Sequence, residues 1–542
     1  MIHTKLKLFL ISIFFCIYPS LNLLASIYIN GLLEFTSSNW PIIVINTNGQ
    51  RIVDERRIVA NMGIIDNGVG KRNLVTDAFN TYNGRIAIEL RGSSSMAYPK
   101  QQYRLETQDA QGNNFNVILL GMPAENDWIL YGPYVDQSHI RNVLAYKLSN
   151  LMGRYASRTR FCELVLNGDY RGLYILIEKI KRDKNRVNIA DLDSLDIQGE
   201  AVSGGYIIKI DKQDGENLGG WYSKRGVAYQ YHYPAADEIL PAQKTYIRNF
   251  MEQFETVMTS SQRNDPEKGF LKLIDLDSFV DHFLLNEFCK NIDAYRISAF
   301  LHKDRDRNDS RLIAGPIWDF NLSMGRTWYP EDALRYDEWE IHHNSYKPND
   351  SPKVPFWWEI LGHTPAFAIR VQERWWTLRK TLFSSDYLFS TIDSLTASIQ
   401  EARIRNFERW PGSGSNQDYA REIQVLKGWL IQRTNWIDSN ISRLVTVAPD
   451  SPGIIQNFSL EQNYPNPFNA TTQIQFYLSK TATIELTIYN ISGQAMTTCL
   501  YRIFSAGSHT YKFDASDFPP GLYIYQIKAE NFQASRKMLL IK

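Results

Sequence analysis

The feature that most constrains this chain is a change of hydrophobic period. Up to Pro241 the apolar residues are interleaved with polar ones: Ile42, Val44, Ile45, Ile52, Ile58 and Val59, then Ile86, Ile88, Leu90, Tyr103 and Leu105. That spacing is a strand signature. Asn167-Gly168-Asp169 lies between the apolar runs Phe161–Leu166 and Tyr170–Ile177, the strongest short-range signal for a β-hairpin. One helix interrupts this half, predicted over His139–Leu151 from Ile140, Val143, Leu144, Leu148 and Leu151. After Pro241 the spacing becomes helical, in Tyr246–Met258, in Leu276–Phe288 and from about Phe367 to Leu444. The expected class is therefore α+β, with a β-rich N-terminal lobe and a helical C-terminal lobe.

The period changes once more. Ala448-Pro449-Asp450-Ser451-Pro452-Gly453 is built of linker residues. Beyond it Ile474, Phe476 and Leu478, then Ile484, Leu486 and Ile488, alternate strictly, and Pro519-Pro520-Gly521 marks a turn. A small β-sandwich is expected there. At the other end, Lys5 and Lys7 precede an apolar run from Leu8 to Tyr18, then Ala25-Ser26, the pattern of a removable leader. The run is too short to span a bilayer. The expected order is leader 1–25, β extension 26–84, β-rich lobe 85–240, helical lobe 241–445, linker 446–459 and terminal sandwich 460–542.

Lys+Arg 59 against Asp+Glu 58 leaves a net charge of +1, so no global field favours nucleic acid or anionic lipid. Outside the leader, Cys162, Cys289 and Cys499 form neither a CxxC pair nor a disulfide framework. Nine scattered His with no HExxH argue against a zinc enzyme. Aromatic residues reach 13%. The irregularly spaced Trp318, Trp328, Trp339, Trp357, Trp358, Trp375 and Trp376 fit a helix-packing core better than a carbohydrate groove.

Phosphoryl transfer needs cations for the phosphates, groups that hold Mg²⁺, and a carboxylate beside the acceptor hydroxyl. The stretch from Glu89 to Lys100 contains Arg91, Gly92, Ser93, Ser94 and Ser95; it joins two strands and offers backbone and hydroxyl donors between the cations Arg91 and Lys100. It is neither a Walker A motif nor a GxGxxG. Downstream, Asp293 follows a predicted helix and Asp319 stands in Trp318-Asp319-Phe320-Asn321. A catalytic carboxylate followed by a metal-binding one is the kinase order. Singly, Asp293 also reads as a helix-terminal turn residue and Asp319 as a loop Asp held by backbone donors.

Taken together these blocks resemble the CotH family, the spore-coat-protein-H-like atypical kinases. The resemblance runs through Arg91-Gly92-Ser93-Ser94-Ser95, Tyr98-Pro99-Lys100, Leu120-Gly121-Met122-Pro123, Asn126-Asp127-Trp128, Arg141-Asn142, Leu166–Tyr174, Glu178-Lys179 and Trp318-Asp319-Phe320. It implies a two-lobed kinase-like body, ATP and Mg²⁺ or another divalent cation, and transfer of phosphate to Ser/Thr hydroxyls of a protein substrate. Under it Asp293 is the catalytic carboxylate, and Asp319 binds the metal with Asn321, an amide where many relatives carry a second Asp. Arg91, Ser93, Ser94, Lys100 and Arg104 contact the nucleotide, with Lys100 the first choice of phosphate cation, and Glu178 stands where a hinge meets adenine. The helix at 139–151 carries Arg141 and no Glu, so the usual Lys–Glu activation pair is not expected.

The tail resembles the C-terminal sorting domain of the type IX (Por) secretion system through Leu460–Asn469, Ile488–Gln494, Ala506-Gly507, Gly521-Leu522-Tyr523 and the basic end Lys537–Lys542. This implies an Ig-like sandwich, handling by the type IX machinery, and a secreted or cell-surface destination with no transmembrane segment in the mature protein. A second functional class stays open, a surface adhesion or scaffold protein with a degenerate nucleotide site. It is supported by Asn321 and by the aromatic content.

Overall fold

The computed structural model describes residues 27–29, 33–54, 56–212, 219–445, 458–478, 481–490, 494–505, 507–529 and 532–541. The expected leader and residues 446–457 of the expected linker lie outside them. The chain divides into two compact units, residues 1–448 and 449–542. No helix among the described residues is long and apolar enough to cross a membrane.

The larger unit mixes strands and helices. Seven strands form a closed barrel: β1 Ile42–Asn46, β2 Ile58–Ile65, β3 Tyr82–Leu90, β4 Tyr103–Gln108, β5 Asp127–Tyr131, β6 Thr159–Leu166 and β7 Asp169–Glu178. Their order is β5-β7-β6-β1-β2-β3-β4, and β4 pairs with β5 to close the ring. Alternate residues fill the interior: Ile43 and Ile45, Ala60 and Met62, Ile86 and Ile88, Tyr103 and Leu105, Trp128 and Leu130, Leu164, and Tyr174 and Leu176. This is the two-residue period of a strand whose alternate side chains point into a barrel. On β5 and β7 the outward residues Ile129, Tyr131, Leu173, Ile175 and Ile177 are also apolar, because they pack into the large helical core.

The Asn167-Gly168 hairpin forms as expected, with Leu166 opposite Asp169 and both turn residues at positive φ. Asn167 also accepts a hydrogen bond from the Thr47 amide at 2.8 Å through its side chain, which ties the hairpin to the end of β1. The stretch expected as an extension, 26–84, supplies β1 and β2 and the first residues of β3 to the barrel. β1 joins β6 in the only parallel pairing of the barrel, Glu163 opposite Ile42. A pairing across about 120 positions of sequence leaves no local signature.

A second antiparallel sheet, ordered β9-β10-β8-β11-β12, contains β8 Tyr206–Ile210, β9 Gly220–Tyr222, β10 Ala228–Tyr233, β11 Ala299–Lys303 and β12 Leu312–Ala314. It takes strands from both sides of Pro241, so β and helical segments are not separated at that residue. Around it lie α1 Arg141–Leu151, α2 Pro241–Thr259, α3 Leu276–Cys289, α4 Phe356–Gly362, α5 Pro365–Arg379, α6 Ser385–Ser398, α7 Gln400–Arg409 and α8 Tyr419–Asn440. Trp339, Trp357, Trp358 and Trp375 are buried in the core of this region, as their spacing suggested. Trp376 is exposed, and Trp318 and Trp328 face a cleft.

The smaller unit is all β. Phe458–Leu460, Thr471–Leu478 and Gly507–Asp514 form one antiparallel sheet, and Ala495–Phe504, Ala482–Asn490, Gly521–Ala529 and Phe532–Leu540 form the other. Ile474, Phe476, Ile484, Leu486, Ile488, Phe513, Tyr525 and Met538 share one core between them.

Candidate active site

Where the ends of β3, β4, β5 and β7 face β8, β10 and β11, a cleft of about 700 Å³ opens. Six of the residues singled out in the sequence line it: Arg91, Ser93, Arg104, Asp293, Asp319 and Asn321. Ser94 opens the one-turn 3₁₀ helix Ser94–Ala97 at its edge.

The segment 319–324 is held by α1. Asn142 and Tyr146 stand one turn apart on that helix. Asn142 Oδ1 accepts from the Phe320 amide at 2.7 Å, and the Tyr146 hydroxyl accepts from the Asp319 amide at 3.1 Å. Buried Arg141 reaches the carbonyls of Ser323 at 3.0 Å and Met324 at 3.3 Å, and pairs with Asp136 at 2.7 Å and Glu422 at 2.9 Å. Arg141 thus clamps the backbone at residues 323 and 324, downstream of Asp319. Asp319 itself has φ of +63°, a left-handed conformation that costs a non-glycine residue about 1–2 kcal/mol.

The carboxyl of Asp319 is pushed up to about 6, first by burial and then by the negative charge of Asp293, with Arg91 opposing both. Asp293 is also raised, chiefly by burial, while Arg296, 3.6 Å away, holds it down. Arg91 lies 5.7 Å over the Trp318 ring, and burial pushes its guanidinium down while Asp319 draws it up. The cleft is thus lined by charges of both signs, Asp211, Asp293 and Asp319 together with Arg91, Arg104, Lys179, Lys209 and Lys212, and Lys209 pairs with Asp211 at 2.9 Å. Burial lowers Lys179 to about 8, against the pull of Asp127 at 3.7 Å.

Two expected site residues are not brought to the cleft. Lys100 is buried with its ammonium turned inward, donating to the Leu173 carbonyl and to Asn406 Oδ1, both at 2.6 Å. The ammonium lies 4.9 Å over the Tyr174 ring. Glu178 is also fully buried; its carboxylate takes Arg158 Nη1 at 2.9 Å and the Tyr155 hydroxyl at 3.2 Å. Its neighbours Ile177 and Lys179 line the cleft, and successive residues of a strand face opposite ways. Asp211, Lys209, Lys179 and His232 were missed. Lys209 and Asp211, two apart at the end of the apolar run Tyr206–Ile210, carried the signal of one charged strand face.

The donors at 319 and 321, a carboxylate and an amide carbonyl, are hard oxygen ligands suited to Mg²⁺. The carboxyl of Asp319 is raised first by burial and then by the charge of Asp293, and a divalent cation would offset the second of these. A metal requires the ionised form, and Asp319 gains its proton as pH falls through about 6. Mg²⁺ affinity, followed by calorimetry between pH 7.5 and 5, is therefore expected to drop about tenfold per unit below 6. A pH-independent affinity would contradict this assignment.

Residues 88–437 match the family described as CotH kinase protein, and residues 462–542 match the secretion system C-terminal sorting domain. No curated protein matches the chain. Among solved structures, dimeric latent PorU from Porphyromonas gingivalis is 16% identical over 16% of this chain and 10% of that one, at a TM-score of 0.15. The endo-beta-1,4-mannanase from Thermotoga petrophila is 7% identical over 22% and 24%, at 0.12. Alkylpurine DNA glycosylase AlkC from Pseudomonas fluorescens is 12% identical over 39% and 62%, at 0.13. The chain spans less than two thirds of each of these proteins, and at such TM-scores none bears on its fold.

Proposed function

Because this chain belongs to the CotH kinase protein family and ends in a type IX sorting domain that sends it to the cell surface or outside, we propose that it is an exported kinase. It transfers phosphate from ATP to Ser/Thr hydroxyls of a protein substrate, in a two-lobed kinase-like body with the cleft between its lobes. The observation that carries this reading is the pair Asp293 and Asp319 facing one cleft with Arg91 and Arg104. Phosphoryl transfer asks for that arrangement, because the protein's work is positioning and charge stabilisation.

In this reading Asp293 accepts the hydroxyl proton as the acceptor oxygen bonds to phosphorus and the bridging oxygen leaves with ADP. Its raised carboxyl brings it closer to the working pH of a general base. Asp319 and Asn321 would hold Mg²⁺, which when bound neutralises phosphate charge. Arg91 and Arg104 replace the expected Lys100 as phosphate cations, with Lys179 beside them. Asn321 brings no charge to the metal, and it favours the second reading, a surface adhesion or scaffold protein.

Calorimetric titration of the full chain with ATP and Mg²⁺ tests the proposal. Arg91→Met is expected to weaken ATP at least tenfold, the effect of losing about 1.4 kcal/mol or more of charge-assisted contact. Lys100→Met should leave ATP affinity unchanged while lowering stability by about 1–3 kcal/mol, because the buried Leu173 carbonyl and Asn406 Oδ1 lose the ammonium, Asn406 Oδ1 keeping only the Leu173 amide at 3.2 Å. No ATP binding by the wild type would leave the scaffold reading in its place, and equal losses in the two variants would contradict the assignment of Arg91.

A further inference from the structure

Outside the cleft, two histidines and a glutamate from separate parts of the sequence meet. His342 ends the 3₁₀ turn Glu340–His342, Glu359 lies in α4, and His363 caps its C-terminus. Glu359 and His363 are four positions apart and so share one helix face. One ligand atom from each of the three residues lies within 4.8 Å of the other two. The Nε2 atoms of His342 and His363 are 3.2 Å apart. Two nitrogens bound at about 2.0–2.1 Å to one tetrahedral ion stand about 3.3 Å from each other.

Two further observations point to a cation site. His363 Nδ1 faces the Leu444 carbonyl at 3.3 Å, so its proton sits on Nδ1 and its Nε2 carries the lone pair. A backbone carbonyl on the second ring nitrogen is the usual companion of a metal-bound histidine. Glu359 is partly buried, and among the described residues its carboxylate has no hydrogen bond or ion pair. A partly buried carboxylate beside two imidazole nitrogens is a ligand set suited to a cation.

We propose that His342, Glu359 and His363 bind a Zn²⁺-class divalent ion. Two imidazoles and one carboxylate select a borderline first-row ion over Mg²⁺, and three protein ligands leave one position for water or an outside donor. In the metal-free state His342 Nε2–H donates to His363 Nε2. Binding moves that proton to His342 Nδ1 through solvent and involves no redox change. The ion joins the turn Glu340–His342 to α4 and, through His363 and the Leu444 carbonyl, to the last turn of the larger unit, Ile441–Val445. It is a fastening distinct from the oxygen-donor site at Asp319.

The test uses the untagged full chain, stripped with EDTA and titrated with CoCl₂, because four-coordinate Co²⁺ absorbs strongly in the visible. One equivalent of Co²⁺ should bring up that band. ZnCl₂ should bleach it, and excess MgCl₂ should not. His363→Asn should weaken Co²⁺ at least a hundredfold. Glu359→Gln, which keeps the side chain's size and leaves folding intact, should weaken it at least tenfold. No band in the wild type, or a band of unchanged affinity in Glu359→Gln, would overturn the proposal.

Discussion

Asp293→Asn is expected to slow phosphate transfer by about 10²–10⁴-fold, the range for loss of a positioned general base, with ATP affinity changed less than about threefold. The asymmetry follows from where the residue sits. Asp293 stands on the turn after α3, whose C-terminus is capped by Lys290 in the left-handed region. It lines the same cleft as Asp319, whose carboxyl its charge raises. Asparagine preserves its size, and Arg296 keeps its other carboxylate, Asp350, at 3.5 Å. Asp350 in turn meets His343 Nε2 at 2.8 Å. The scaffold under residue 293 therefore survives the change while the proton acceptor is lost. Single-turnover measurement of labelled phosphate incorporation separates this from a binding defect. Equal single-turnover rates would remove Asp293 from the chemistry.

The largest stability effect is expected at Arg433→Ala, a loss of about 3–5 kcal/mol. Arg433 and Glu287 are fully buried and paired at 3.2 Å. The guanidinium also donates to the carbonyls of Glu287 at 2.8 Å, Tyr336 at 2.8 Å and Glu338 at 2.7 Å, and lies 4.7 Å over the Trp436 ring. Deleting it strands an anion and three acceptors. Glu287 also accepts the amides of Glu340 and Ile341 and the Tyr295 hydroxyl, so the damage reaches the turn that carries the Lys290–Glu340 pair at 2.6 Å. Burial already raises the Glu287 carboxyl to about 7. Folded Glu287 thus holds its proton more tightly than unfolded Glu, and its contribution to stability rises as pH falls from about 7 toward 4.5. In the variant the carboxyl rises further and protonates earlier. Urea unfolding should therefore show a smaller deficit at pH 6 than at pH 8. A deficit below 1 kcal/mol at pH 8 would contradict this account of the buried pair.

The parts of this fold that were legible in the sequence are those written locally. The Asn167-Gly168 hairpin, α1 and α3, and the alternating runs Ile474–Leu478 and Ile484–Ile488 each carry their own period or turn residue. Pairings distant in sequence do not. Nothing near Ile42 announces a parallel partner at Glu163, and nothing near Tyr206 announces β11 at Ala299–Lys303. The site followed the same division. Asp293 and Asp319 were found because each follows a locally patterned segment, the helix Leu276–Cys289 and the apolar step Leu312–Ala314. Arg104 was ranked below Lys100, although Tyr103 and Leu105 on either side fill the barrel and force Arg104 outward to the cleft. Glu178 failed by the same parity, one residue from Lys179. His342, Glu359 and His363 became a group only through packing, since no HExxH-type spacing joins all three.

The central claim is that this cleft moves phosphate. Incubating the purified full chain with γ-labelled ATP and Mg²⁺, with a Ser/Thr-rich protein as acceptor, tests it most directly. Acid-stable label on Ser/Thr is expected in the wild type and only background label in Asp319→Asn, a variant whose asparagine still accepts the left-handed backbone. No label in a wild type that binds ATP, or equal label in Asp319→Asn, would contradict it.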